Sequence, residues 1–346
     1  MTATVTPSGP AGAAAVDAAI PKRRFDVVPL ALLAVLALSA WPAVGSTPTW
    51  LTLTLAGLAM GMIVFIAASG LTLVFGLMDV LNFGHSLFIA LGAYVATSVL
   101  AFLSGWTGAP ALSLNLAAIF LALLAAMTLA GVLGVGFERV IVRPVYGQHL
   151  KQILVTLGGA IIGEELIKAV WGPTQIALPP AEALRGSILL GEATVDKLRL
   201  VSVAVGLVVL AALLWTLNRT KIGLLIRAGV QDREMVESLG YRIRRLFVGV
   251  FAAGSALAGL GGTLWGMNQQ SVVPQIGGQV NVLIFIVIIM GGLGSTLGCL
   301  IGALLVGLMT NYVGFLAPKL TVFSSIGLMV AVLLWRPQGL YPVTSR

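Results

Sequence analysis

The feature that most constrains this chain is a run of 28 residues, Val282 to Met309, that contains no charged side chain. Its apolar character is interrupted mainly by the stretch Gly291-Gly292-Leu293-Gly294-Ser295. A membrane crossing takes about 20 residues, so the run is too long for one straight span and too short for two full ones. Broken helices are tolerated in membranes where the irregular backbone is buried in protein or lines a path for a polar solute. The run therefore predicts a broken transmembrane helix in a transport protein.

Composition supports a membrane protein. The chain is 58% hydrophobic and 9% charged, whereas soluble domains carry about 25% charged residues. We predict an all-α, polytopic transmembrane helical bundle of about 8–10 helical segments, including broken or re-entrant helices. The net charge of +8 comes from basic residues that cluster between spans, which is a membrane-orientation pattern and not a nucleic-acid site. With one cysteine, Cys299, and two histidines, we expect no disulfide framework, metal site or cofactor.

Apolar runs predict nine candidate spans and a simple domain organisation. Residues 1–27 are expected to form a disordered cytoplasmic tail, residues 28–340 a single transmembrane domain, and residues 341–346 a C-terminal tail. The candidate spans are 28–44, 51–78, 83–103, 115–136, 153–171, 200–217, 247–267, 282–309 and 322–335.

The distribution of lysine and arginine predicts the orientation. Basic residues precede the first span and follow the fourth and sixth, whereas loops 45–50, 104–114 and 268–281 carry no charge. The positive-inside rule then makes the basic segments and the N-terminus cytoplasmic. Arg336 and Arg346 favour a cytoplasmic C-terminus. Either a split of the 282–309 run into two half-helices or a re-entrant turn within it would give the required even number of crossings. The long external loop, 172–199, is expected to contain a small hairpin about Gly191-Glu192.

The cytoplasmic segment 218–246 has the pattern of a short amphipathic helix that ends at a left-handed Gly240. Asp232 could instead cap a shorter helix that begins there. The helix could lie on lipid headgroups or neighbouring helices, or it could dock into a cytoplasmic motor subunit. One side of the predicted helix would be apolar, comprising Leu225, Ala228, Met235, Val236 and Leu239.

Polar residues cluster in the stretch Asn82-Phe83-Gly84-His85-Ser86, between two apolar runs. An amide, an imidazole and a hydroxyl are costly in lipid unless they face a cavity or protein partners. The alternative is that they satisfy backbone groups freed where a helix breaks. Catalysis by His85 is disfavoured, because no cysteine, second histidine or carboxylate pair accompanies it.

This stretch continues into Leu91-Gly92-Ala93-Tyr94 and follows Gly70-Leu71-Thr72-Leu73-Val74-Phe75-Gly76. Together these segments resemble the permease subunits of branched-chain amino-acid ABC importers. Further segments resemble the same family in the same order, over about residues 50 to 340. They are Glu138-Arg139 with Arg143-Pro144, the segment Gly223 to Gly240, Ala256 to Gly259, and Gly291 to Ser295 with Gly298. The chain departs from the family pattern at Gly84, Ser86 and Asp232, which leaves the transported solute open.

The resemblance implies an ATP-driven importer with no active site in this chain. An external binding protein would deliver a small polar solute, most simply a branched-chain or other amino acid, with urea, amides and aromatic acids left open. Two cytoplasmic ATP-binding subunits would act on this permease and on a second one, either an identical copy or a paralogue. The chain lacks the phosphate-binding P-loop pattern, so ATP hydrolysis is expected on those partners.

The residues implied in coupling to the ATPases are Gln231, Asp232, Arg233, Glu234, Glu237, Leu239 and Gly240. The residues implied in the solute path are Asn82, His85, Ser86, Gly291, Gly292, Gly294 and Ser295. We further hypothesise that the two breaks in this path form a pseudo-symmetric pair.

One alternative is an ion-coupled carrier that uses Glu164, Glu165 or Asp79, because carboxylates in a span suggest a proton relay. Lys168 lies four residues after Glu164, so an ion pair on one helix face is the favoured interpretation.

Overall fold

A computed structural model describes residues 26–178, 181–231 and 233–342. Within these residues the chain forms thirteen α-helices, ten of which have 15 residues or more. The helices are α1 (Val28–Val44), α2 (Thr47–Met78), α3 (His85–Phe102), α4 (Ser104–Thr107), α5 (Leu112–Phe137), α6 (His149–Trp171), α7 (Lys197–Arg219), α8 (Lys221–Gln231), α9 (Arg233–Ser238), α10 (Ile243–Gln269), α11 (Ile276–Gly291), α12 (Thr296–Leu316) and α13 (Thr321–Trp335). The all-α membrane bundle predicted from composition is confirmed.

The strands are short and lie in the connections. They are β1 (Ile176–Ala177), β2 (Ser187–Leu190), β3 (Ala193–Asp196) and β4 (Ser271–Val272). Strands β2 and β3 form an antiparallel hairpin, and Gly191 at its turn has a left-handed backbone (φ 64°). The predicted hairpin about Gly191-Glu192 is confirmed. Strand β1 pairs with β4, so the long loop 172–199 is joined to the connection between α10 and α11.

Helix α2 is the central helix and packs against α7, α10 and α12. Its contacts depend on glycine. A Cβ atom on Gly70 would lie 2.3 Å from the carbonyl oxygen of Gly254 in α10, and one on Gly57 would lie 2.9 Å from the Cα of Leu308 in α12. Lipid tails are as apolar as leucine, so helices in a membrane associate through close packing of small residues instead. The glycines therefore set how tightly the bundle closes around α2.

The connections fall at two opposite ends of the bundle. At one end, the Thr194 amide donates to Thr52 Oγ1 (3.1 Å) and the Ala183 amide donates to Asn115 Oδ1 (3.0 Å). At the other end, which we call the basic end, Arg336 after α13 pairs with Asp26 before α1 (2.5 Å). The start of α1 and the end of α13 therefore share one end of the bundle.

The 282–309 run is split into two helices, as predicted. Helix α11 ends at Gly291 and α12 begins at Thr296, and Gly292 and Gly294 have positive φ angles of 100° and 80°. Among the described residues, seven helices are long and apolar enough to cross a membrane, while α1 and α11 are apolar but shorter. The prediction for residues 1–27 lies outside the described residues except for Asp26 and Val27.

Candidate functional site

The first break in the bundle separates α2 from α3. Helix α2 ends at Met78, and Asp79 follows in a left-handed conformation (φ 53°). The His85 Nε2 atom then lies 2.9 Å from the carbonyl oxygen of Ala67. Ala67 precedes Met78 by 11 residues, or about 16 Å of helix. The connection 79–84 therefore turns back into the bundle, and α3 begins inside it.

The predicted path residues of this break differ in exposure. Asn82 and His85 are each 1% exposed, whereas Ser86 is half-buried. Neither polar side-chain atom of Asn82 has a hydrogen-bond partner within the described residues, nor does His85 Nδ1. His85 Nε2 forms a hydrogen bond with the Ala67 carbonyl oxygen, so the imidazole has a structural role. A buried polar group without a partner is costly, which makes Asn82 the least satisfied residue of the site.

A second break, between α10 and α11, has the same backbone form as the first. Helix α10 ends at Gln269, Gln270 is left-handed (φ 54°), and α11 begins at Ile276. Asp79 and Gln270 are the two non-glycine residues with positive φ in the described part of the chain. Each begins a connection of six residues between its two helices. The matched form indicates that these two breaks are counterparts.

The two counterpart breaks meet at the starts of α3 and α11. A Cβ atom on Gly277 would lie 2.0 Å from the Ser86 carbonyl oxygen, and the rings of Phe83 and Phe285 are 4.7 Å apart. Ser86 and Gly277 each occupy the second position of their helix. Backbone form therefore favours the 270–275 connection over the glycine turn at 291–295 as the counterpart of the Asn82 break. The sequences of the 79–84 and 270–275 connections share no pattern that could have revealed the match.

The glycine turn lies at the basic end. A Cβ atom on Gly76 would lie 2.5 Å from the Cα of Gly294, so the turn packs on the last residues of α2. Ser295 Oγ accepts a hydrogen bond from the Gly298 amide (3.1 Å) and caps α12. The predicted turn is confirmed as a helix break.

The segment 336–342, which we call the C-terminal strap, holds the glycine turn. The amides of Leu340 and Tyr341 donate to the carbonyl oxygens of Met290 (2.9 Å) and Gly291 (3.0 Å), the last residues of α11. Arg336 pairs with Asp26, and the hydrogen bond from Arg336 lowers the pKa of the Asp26 carboxyl below its ordinary value. The strap therefore links the turn to the start of α1. We predicted that the tail begins at 341, but Tyr341 is hydrogen-bonded to the bundle.

One face of α11 remains exposed beside the start of α3. It includes Val282 (51% exposed) and Ile289 (37%), together with the exposed amide side chain of Gln279. Half-buried Ser86 and Phe285 border this face. A polar side chain within a membrane-spanning segment is costly if it faces lipid, and it marks a cavity or a protein contact instead. We call these residues the α11 face; the sequence did not single out Gln279.

The predicted coupling segment is helical on both sides of Asp232. Helix α8 ends at Gln231 and α9 begins at Arg233; Asp232 and the side chains of Gln231, Arg233 and Glu234 are outside the described part. On the predicted apolar side, Val236 is buried (1%), while Met235 and Leu239 are 53% and 66% exposed. Gly240 is left-handed (φ 85°) as predicted, and Glu237 lies on the exposed side.

The carboxylates of α6 form ion pairs. Lys168 Nζ lies 2.9 Å from Glu164 Oε1 and 2.8 Å from Glu165 Oε1. The predicted pairing with Glu164 is confirmed. An ion pair on an outward helix face does not make a proton relay, so the geometry gives no support to an ion-coupled carrier.

Comparison with known proteins agrees with this architecture. A family model described as "Branched-chain amino acid transport system / permease component" matches residues 53–333. The chain is similar to three high-affinity branched-chain amino acid transport system permease proteins. It is 30% identical to LivM of Escherichia coli K12, over 95% of this chain and 77% of that protein. It is 27% identical to LivH of the same strain, over 82% and 92%. It is 26% identical to BraD of Pseudomonas aeruginosa, over 82% and 93%. No solved structure matches the chain. The chain therefore belongs to the permease component family of branched-chain amino acid transport systems and is a multi-pass membrane protein.

Proposed function

We propose that this chain is the membrane permease of an ATP-driven importer for branched-chain amino acids. The match to the family model over residues 53–333 is the observation that carries the proposal. The relatives named above are permeases of high-affinity branched-chain amino acid systems. In this account the chain binds and hydrolyses no nucleotide, and its energy comes from two separate ATP-binding subunits on the cytoplasmic side.

The complex would also contain a second permease and an external solute-binding protein. E. coli K12 has two relatives of this chain, LivH and LivM, and this favours a pair of different permeases over two identical copies. Purification in mild detergent should therefore recover a paralogous permease and an ATPase. The ATPase activity of the purified complex should rise when binding protein loaded with leucine is added. The rise should be smaller when urea or benzoate replaces leucine. Recovery of the chain as an isolated protein from a transport-competent membrane would contradict this.

The basic end of the bundle would face the cytoplasm, with the N-terminus on that side. There, the coupling segment Gln231 to Gly240 presents exposed Leu239 (66%) and Met235 (53%) next to Glu237. Exposed apolar side chains within a basic segment suit a protein partner that covers them. Cysteine at Leu239 should crosslink to an ATPase subunit in the assembled transporter. Cysteine at Leu189 in the opposite hairpin, 72% exposed, is the matched control and should not.

The solute path would run along the α11 face and the meeting helix starts. Asn82, His85 and Ser86 would form its wall on α3, and Gly291, Gly292, Gly294 and Ser295 its cytoplasmic mouth. The support is that the starts of α3 and α11 meet inside the bundle, where the positive ends of their helix dipoles favour the carboxylate of an amino acid. Because Asn82 and His85 are covered, Ser86 and Gln279 would make the first contacts with solute.

Thiol labelling tests this path. The natural cysteine, Cys299, is buried, so cysteines introduced at Ser86 or Gln279 can be followed in the natural background. A water-soluble thiol reagent should modify both, and solute-loaded binding protein should slow the reaction. Cysteine at Leu166, which is 62% exposed on the outer side of α6, should resist the reagent as a lipid-facing control. Equal protection from labelling at all three positions would refute the path.

A further inference from the structure

A second surface, separate from the α11 face, carries a different inference. A groove of about 870 Å³ lies between α2, α5, α7 and α10, and reaches α8. Its floor on α10 consists of small residues, Gly249, Ala253 and Ala256, and its walls include Phe120 of α5 and Val208 of α7. Phe120 and Val208 are 64% and 68% exposed, so the groove opens sideways towards the membrane. This volume is in the range of pockets that hold small molecules.

The groove is apolar along its length and cationic at one end. Among the described residues that line it, Arg245 is the one charged side chain. From Arg245, in the first turn of α10, to Leu260 is 15 residues, or about 22 Å of helix. That length exceeds half of the roughly 30 Å hydrocarbon core of a bilayer. The groove therefore extends from the basic end past the middle of the membrane.

The cation at the end of the groove is free to bind a ligand. No acidic side chain in the described part of the chain forms an ion pair with Arg245. Arg219 and Lys221 lie within two residues of Leu217 and Ile222, which also line this end. An unpaired arginine at the membrane surface beside an apolar groove matches an anionic phospholipid, with phosphate at the guanidinium and acyl chains in the groove. A transported amino acid fits less well, because none of the described residues that line the groove is a carboxylate that could pair with its ammonium group.

We propose that this groove is a binding site for an anionic phospholipid. The lipid headgroup contacts Arg245, and the acyl chains lie on Gly249, Ala253 and Ala256. Because Ile222 and Ile226 of α8 line the same groove, the bound lipid also supports the first helix of the coupling segment. A helix of a second permease subunit is the competing occupant.

Gly249 allows the groove to be filled selectively. A Cβ atom at Gly249 would meet no other atom within 4 Å, and the same holds for Gly327 in α13. Gly249→Phe should place its ring in the groove, whereas Gly327→Phe adds the same ring to an exposed surface elsewhere. The assembled transporter would be placed in nanodiscs that contain phosphatidylglycerol or phosphatidylcholine with a photoreactive group on an acyl chain. After irradiation, labelled peptides are identified by mass spectrometry.

In the wild type, the phosphatidylglycerol probe should label peptides of α7 and α10 more than the phosphatidylcholine probe does. Gly249→Phe should lose this labelling and Gly327→Phe should retain it. Arg245→Gln should reduce the preference for the anionic probe by about fivefold, the equivalent of one cationic contact at a membrane surface, and Lys319→Gln should not. Equal labelling of wild type and Gly249→Phe would overturn the proposal. So would equal labelling by the two probes, or a disulfide between permease subunits through cysteine at Ala253.

Discussion

The contact between the starts of α3 and α11 makes a sharp prediction for two adjacent glycines. A Cβ atom on Gly277 would lie 2.0 Å from the Ser86 carbonyl oxygen, whereas ordinary contact begins at 3.4 Å. In Gly277→Ala the helix starts must therefore separate by about 1 Å or more, and overpacking of this kind costs about 1–3 kcal/mol. Gly278→Ala is the matched control, because its Cβ atom would meet nothing within 4 Å.

Both substitutions gain the same helix propensity, about 1 kcal/mol for alanine over glycine. The difference between the two variants therefore isolates the collision. We expect Gly277→Ala to be less stable than Gly278→Ala by about 1–3 kcal/mol, measured by thermal unfolding of the purified permease in one detergent. The Gly277→Ala transporter should also import less solute. Equal unfolding temperatures and equal transport would show that α3 and α11 do not meet here, and would refute the matched pair of breaks.

Three further predictions concern an ion pair, the strap and a buried hydrogen bond. Glu164→Gln should leave ATP-driven uptake intact, because Glu164 and Lys168 form a structural pair; loss of uptake with normal complex assembly would revive the ion-coupled alternative. The pKa of Asp26 lies below its ordinary value of 3.8, so the contact of Asp26 with Arg336 stabilises the fold above that pH and is lost as the pH falls through the lowered pKa. The Asp26–Arg336 pair should then add nothing to the pH dependence of the unfolding temperature between neutrality and pH 5. Below pH 4 it should contribute to the loss of stability, and Arg336→Gln should remove that contribution. An acid unfolding profile that Arg336→Gln leaves unchanged would count against the strap. Tyr146→Phe should destabilise the permease by about 1–3 kcal/mol, because the Tyr146 hydroxyl donates to the fully buried carboxylate of Glu138 (2.6 Å); an unaltered unfolding temperature would contradict this.

The sequence predicted most helices to within a few residues, because uncharged apolar runs and basic loops leave few choices in a membrane. It also located the hairpin at Gly191, the left-handed turn at Gly240 and the break at Gly291 to Ser295. Each of these is a local signal, in which glycine supplies a backbone conformation that other residues adopt at a cost.

The sequence failed where the decisive feature is a contact between distant segments. Residues 270–275 have the composition of an ordinary external loop, and nothing local indicates that the start of α11 meets Ser86. The strap was missed for the same reason, since its hydrogen bonds to Met290 and Gly291 come from backbone amides of any side-chain type.

The most direct test of this account is uptake of radiolabelled leucine into proteoliposomes that contain the purified transporter. ATP and an ion gradient are supplied separately, each with and without the loaded binding protein. We predict uptake only when ATP, the ATPase subunits and the binding protein are all present, with no uptake by this chain alone under a proton or sodium gradient. Leucine accumulation driven by an ion gradient in the absence of ATPase subunits would contradict the account.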